Sequence, residues 1–272
     1  DAKLAKSISE SGRVFLESIL DPSSFGETID GEMFARQDLL FEKAGPFGKI
    51  SGDWKGMLPF LGVQTNMSRF NRGVRGYGAA NVIQDSVDQI VRRQPLVFKH
   101  SRLAGELAFE ELTAQFTVDE ANFERMSWFD KKGEEHLVEL PLDESGIKSL
   151  RKEIYKNAPP LVYDADGDGN AESETRVLEI YRDHFVPSIA FSLALEYWGA
   201  SPADCEVYPG SFIKVNKPDG SVVEIPVDDQ CSTIINYAGP ASSAAADGYK
   251  TFPVRSYAGY ARETVDDPAQ WP

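Results

Sequence analysis

The sequence predicts an α/β fold: a single domain with a mixed β-sheet flanked by helices, plus an inserted, mostly polar subregion. Three observations point there. An apolar helical stripe at Leu4, Ala5 and Ile8 is stopped by Gly12 and followed by a strand-like run at Val14–Leu16, which is one half of an alternating α/β unit. The segment 185–198, FVPSIAFSLALEYW, reads as a helix entered at Pro187. Near the end, Phe212–Val215 and Ser221–Val227 flank Lys217-Pro-Asp-Gly220, a turn sequence that makes a hairpin.

The elements between are taken in order. Residues 21–32 are turn-rich, and Ala35–Phe41 reads as helix. Residues 69–80, RFNRGVRGYGAA, read as a Gly-rich basic loop, and 81–99 as strand, acidic turn and strand. Leu103–Phe116 carries an apolar face, a hairpin is expected around Lys132-Gly133, and a short helix around Ser149–Tyr155. The helix at 185–198 puts Ile189, Leu193 and Tyr197 on one face and is expected to be largely buried, with a homodimer contact as the alternative use of that face. A last strand is expected at Thr233–Tyr237.

Composition narrows the function. Lys plus Arg total 28 against 43 Asp plus Glu, a formal charge of −15, which repels nucleic-acid phosphates and excludes them as the expected partner. No apolar run is long enough to span a bilayer. Cys205 and Cys231 stand apart from any CxxC or Cys/His cluster; they read either as one disulfide or as two separate buried thiols. His100, His136 and His184 form no HExxH, and there is no GxSxG elbow, so the residues name no catalytic set.

Two motifs could bind ligands. Asp164, Asp166 and Asp168, with Gly169, Asn170 and Glu172, match the start of a calcium loop, in which alternate oxygen ligands converge across a sharp glycine turn. Thr175 stands where an EF-hand has its bidentate Glu, so the expectation is a structural Ca²⁺ outside an EF-hand pair; a solvated acidic turn is the other reading. Arg69, Arg72 and Arg75, interleaved with glycines and joined by Arg92 and Arg93, could hold a small anion, or pair with the protein's own carboxylates.

Several blocks, in order, resemble a CHASE2 domain. These are Asp1, Leu4, Ala5, Gly12 and Val14–Leu16; Asn81, Val82, Asp85, Asp88, Val91, Arg92, Arg93, Pro95 and Leu96; Pro187 to Leu195; and Ile225, Pro226, Asp228, Ile235, Asn236, Tyr237, Gly239 and Pro240. Residues 1–272 then correspond to a CHASE2-like sensor fragment lacking the family's first and last strands, with a family-atypical insertion at about 100–184. The resemblance implies an extracellular or periplasmic sensory domain of a membrane-anchored signalling protein, an adenylate or guanylate cyclase or a kinase. Its stimulus would be an unidentified small molecule or ion, and the domain itself would catalyse nothing. A calcium-stabilised extracellular binding or adhesion domain without signalling output is the alternative.

Overall fold

The computed structural model describes residues 2–22, 31–84, 87–163 and 173–236. The chain divides into two units, residues 1–233 and 234–272; the first contains nearly everything described here. The fold class is the expected one, mixed sheets with helices packed on them.

The chain opens with helix α1 (Ala2–Ser11), Gly12 in a left-handed conformation (φ 59°), and strand β1 (Phe15–Asp21). Helix α2 (Gly31–Ala44), the short strands β2 (Lys49–Ile50), β3 (Pro59–Phe60) and β4 (Gly62–Gln64), and the single-turn helix α3 (Ser68–Asn71) follow. Strand β5 (Gly76–Ala79) pairs parallel with β1, and β4 pairs antiparallel on its other side. This corrects the reading of 69–80 as a loop: Gly76–Ala79 is a fully buried strand. Its glycines are there for space, because a Cβ on Gly76 would stand 2.6 Å from the Phe15 ring.

Asn81 completes this sheet. Its side chain accepts from the Leu20 N–H at 2.8 Å and donates to the Leu20 carbonyl at 2.7 Å, mimicking one rung of a ladder beyond the end of β5. The expected strand after Asn81 does not form at residues 81–84, and the described residues 87–92 are also irregular; strand begins again at β6 (Arg93–Pro95). Residues 97–108, 124–129 and 135–137 form β7, β8 and β9; helix α4 (Glu144–Asn157) is longer than predicted. Strands β10 (Leu161–Tyr163) and β11 (Ser173–Thr175) pair antiparallel, and β12 (Val177–Pro187) runs back along the whole of β7. The central sheet has the order β3-β7-β12-β8-β9.

Helix α5 (Ile189–Trp198) starts two residues later than Pro187. Pro187 closes β12, and the Ser188 hydroxyl caps the helix by accepting from the Phe191 N–H at 3.2 Å. The expectation of a largely buried helix is corrected. Phe191, Ser192 and Leu195 are buried, but Leu193 is 50% and Tyr197 87% exposed, because α5 lies on the β5 edge with one face outward. The hairpin forms as expected from β14 (Phe212–Asn216) and β15 (Val222–Pro226), with Gly220 at φ 83°; β13 (Cys205–Tyr208) and β2 complete that sheet. Strand β16 (Ser232–Ile234) overlaps the predicted last strand only at Thr233 and Ile234; residues 235–236 are not strand, and Tyr237 lies outside the described residues.

Among the described residues, three apolar clusters hold the first unit together. One joins α5 to the β13–β15 hairpins around Phe191, Val207 and Ile213; a second joins α2 to β1 and β5 around Leu40 and Tyr77. The third, around Trp128, Ile154 and Leu178, belongs to the segment read as an insertion. That segment is therefore polar outside but carries an apolar core of its own, mounted on the outer halves of β7 and β12.

Candidate functional site

The C-terminal ends of α2 and α5 meet above the first residues of β1 and β5. Lys43, Ala44 and Gly45 line one wall, Leu195, Glu196, Gly199 and Ala200 the other, with Phe15, Arg75, Gly76 and Tyr77 below and Asp204 at one end. The space enclosed is about 410 Å³, which suits a small polar molecule. Both helices end there for the same reason. Gly45 (φ 77°) donates to the Phe41 carbonyl at 3.0 Å; Gly199 (φ 68°) donates to the Glu196 carbonyl at 3.0 Å, and Ala200 to that of Leu195 at 2.9 Å. Two helix C-termini bring partial negative charge to the cleft, and Lys43 in the last turn of α2 complements it.

The cleft offers both signs of charge. Arg75 meets Glu196 edge to edge, Nη2 to Oε1 at 3.2 Å and Nε to Oε2 at 3.3 Å, at a half-exposed rim. Lys43 has no ion pair with any described residue. Asp204 accepts from the Ser201 hydroxyl at 2.7 Å and the Ser201 N–H at 2.9 Å, and these bonds hold its carboxyl below the usual range. Below the rim the Ser192 hydroxyl donates to the Tyr77 carbonyl at 2.7 Å, and the buried Tyr77 hydroxyl donates to Asn71. Burial raises the Tyr77 phenol to about 12, so it remains a neutral donor.

The predicted arginines separate. Arg75 lines the cleft. Arg69 lies on α3 with its guanidinium 5.7 Å from the Phe70 ring, and Arg72 is the exposed residue that ends α3. Arg92 pairs with Asp88 of its own turn, which drops the Asp88 carboxyl to about 2, and Arg93 pairs with Asp228 at 3.0 Å. Of the predicted calcium ligands, Asp164, Asp166, Asp168, Asn170 and Glu172 all lie outside the described residues, between β10 and β11. Cys205 and Cys231 are two free, buried thiols, not a disulfide; burial lifts both to about 12, leaving them protonated and inert.

Sequence reasoning missed a buried charge cluster on one face of the central sheet. Asp183 of β12 accepts from the Ser101 hydroxyl at 2.6 Å and from Arg125 Nε at 3.1 Å, and stands 3.9 Å from Lys99 Nζ. Arg125 also pairs with Glu135 of β9, and its guanidinium lies 4.6 Å from the Tyr181 ring. Lys99 is further held by the Lys55 carbonyl at 2.8 Å; burial brings its amine down to about 8. On the opposite face His100 and His184 face each other across β7 and β12, with Phe41 of α2 stacked on His184 at 4.1 Å. Burial pushes His100 down to about 3 and His184 to about 4, so both stay neutral. The available signal was charged residues inside strand-like runs, at Lys99-His100-Ser101 and Arg182-Asp183-His184.

No protein-family model matches this chain, and neither a curated protein nor a solved structure does.

Proposed function

We propose that this chain is the sensory domain of a membrane-anchored signalling protein, CHASE2-like in its sequence blocks, and that its stimulus is a small polar molecule bound in the α2/α5 cleft. The observation that carries the reading is where those blocks lie. Phe15 of the opening block and Ser192 and Leu195 of the Pro187 block line the same cleft, together with Arg75, Gly76 and Tyr77 from the Gly-rich approach to Asn81. They come from three distant parts of the chain, and two further block residues hold the elements that carry them: Asn81 ties down β1, and Ser188 caps α5.

The chemistry of the lining supports a ligand with both a carboxylate and an amine. Arg75 and Lys43 are the anion-binding side; Glu196, Asp204 and the two helix ends are the cation-binding side. Such a ligand would exchange the Arg75–Glu196 pair for contacts of its own and so draw α5 toward or away from α2, a change that a downstream output could read. This reading assigns an extracellular or periplasmic location and no catalytic step to the chain.

The test is a thermal-shift screen of the purified chain against amino acids, betaines, dicarboxylates and amines. A ligand far above its dissociation constant raises Tm. The reading expects a zwitterion or carboxylate hit that Arg75→Ala abolishes; hits that are indifferent to Arg75→Ala and Glu196→Gln would refute it.

A further inference from the structure

The β8–β9 hairpin carries a group of side chains remote in function from the cleft. Asp130 follows β8, Glu134 immediately precedes β9, His136 lies on β9, and Gly133 (φ 81°) turns the chain between them, its N–H bonded to the Asp130 carbonyl at 2.9 Å. Asp130 Oδ1 accepts from the N–H groups of Lys132 at 2.8 Å and Glu134 at 2.9 Å. Those two bonds fix the carboxylate and leave Oδ2 to face His136.

His136 is placed just as firmly. It stands opposite Trp128 in the ladder, and the two rings stack with centroids 4.3 Å apart and 14° between planes. Trp128 is a fully buried residue of the third apolar cluster, so the imidazole rests on a rigid base. Its Nε2 is buried and has no hydrogen-bond partner among the described residues. That atom stands 3.8 Å from Asp130 Oδ2, too far for a hydrogen bond. One ligand atom each from Asp130, Glu134 and His136 lie within 4.8 Å of one another.

A direct His–Asp pair would have closed the gap. A divalent ion asks for a smaller approach: with bonds of about 2.0–2.2 Å it holds neighbouring ligand atoms some 3–3.5 Å apart, nearer to the 3.8 Å between His136 and Asp130 than a hydrogen bond is. We propose that Asp130 Oδ2, the Glu134 carboxylate and His136 Nε2 bind one divalent transition-metal ion of the Zn²⁺ class. The buried, unpaired imidazole nitrogen gives the site its selectivity, since calcium and magnesium take oxygen ligands. Two carboxylates balance the ion's charge, and the remaining positions go to water or to a ligand atom from outside. The nearby Lys131 amine is turned away, onto the Lys156 carbonyl at 3.2 Å. This site is separate from the cleft and stands or falls independently of it.

The experiment is calorimetric titration of the EDTA-stripped chain with ZnCl₂ and, separately, CaCl₂. The expected result is a Zn²⁺ site whose affinity drops about tenfold or more in both Glu134→Gln and His136→Gln, while any Ca²⁺ heat is the same in all three proteins. The His136 Nε2 resonance should shift at one equivalent of Zn²⁺. Zn²⁺ binding that is absent from the wild-type chain, or unchanged in both variants, overturns the proposal. Glu134 is exposed, so Glu134→Gln decides the matter if His136→Gln fails to fold.

Discussion

Gly78 lies directly beneath the first turn of α5: a Cβ built on it would stand 2.4 Å from the Cα of Ile189. Strand and helix are in backbone contact there, and the Ala79–Ser188 bridge and the Ser192–Tyr77 hydrogen bond continue the seam. The far end of that seated helix forms a wall of the cleft. Gly78→Ala should therefore destabilise the protein by about 3 kcal/mol or more, at the upper end for overpacking, because the clash is with backbone. Urea unfolding measures it; a change below about 0.5 kcal/mol would mean that α5 is not seated as described.

Arg75 and Glu196 should behave differently. Both are about half exposed, so Arg75→Ala and Glu196→Gln should each change stability by less than about 1 kcal/mol. If the pair serves the cleft, the loss appears in ligand affinity at nearly unchanged Tm. Parallel Tm and binding measurements on the two variants separate these effects.

Asp183 compensates two buried cations. Asp183→Ala leaves Lys99 and Arg125 without it in a site where all three are almost fully buried. The expected cost is about 3–5 kcal/mol. Arg102→Ala, which removes a pair with the largely exposed Asp38, should cost about 1 kcal/mol or less. Equal losses in the two variants would contradict the cluster's structural role.

Acid should unfold the protein partly through His100 and His184. Both have folded values below the ordinary 6.5, at about 3 and about 4, because burial disfavours the charged ring. The unfolded chain then binds more protons below pH 6.5, so stability is full above that pH and falls as the pH drops toward 3–4. At pH 4.5 each histidine should account for a loss of about 2–3 kcal/mol relative to pH 7.5. His100→Gln should flatten that slope in chemical-denaturation curves; an unchanged slope would show that His100 is protonated without cost.

Local patterns were legible in the sequence, and non-local ones were not. Gly12 and Lys217–Gly220 act on their immediate neighbours, so α1–β1 and the β14–β15 hairpin could be read directly. Gly76 and Gly78 misled, since the same residues that loosen a loop also let a ring and a helix approach a strand. The helical period of 189–198 was visible but its exposed face was not, because amphipathicity is nearly absent from so apolar a run. The cleft joins residues 43, 75 and 196, and the buried cluster joins 99, 125 and 183; only strand pairing and helix seating bring either set together. Single-residue chemistry can flag Arg75 as a candidate, but nothing local names Glu196 as its partner.

The most direct test of the sensory reading is amide chemical-shift mapping of the ¹⁵N-labelled chain during titration with the strongest zwitterionic or carboxylate hit. The account predicts saturable shifts concentrated at Gly45, Gly76, Gly199 and Ala200, lost in Arg75→Ala. Shifts centred elsewhere, with these four amides unmoved, would contradict it.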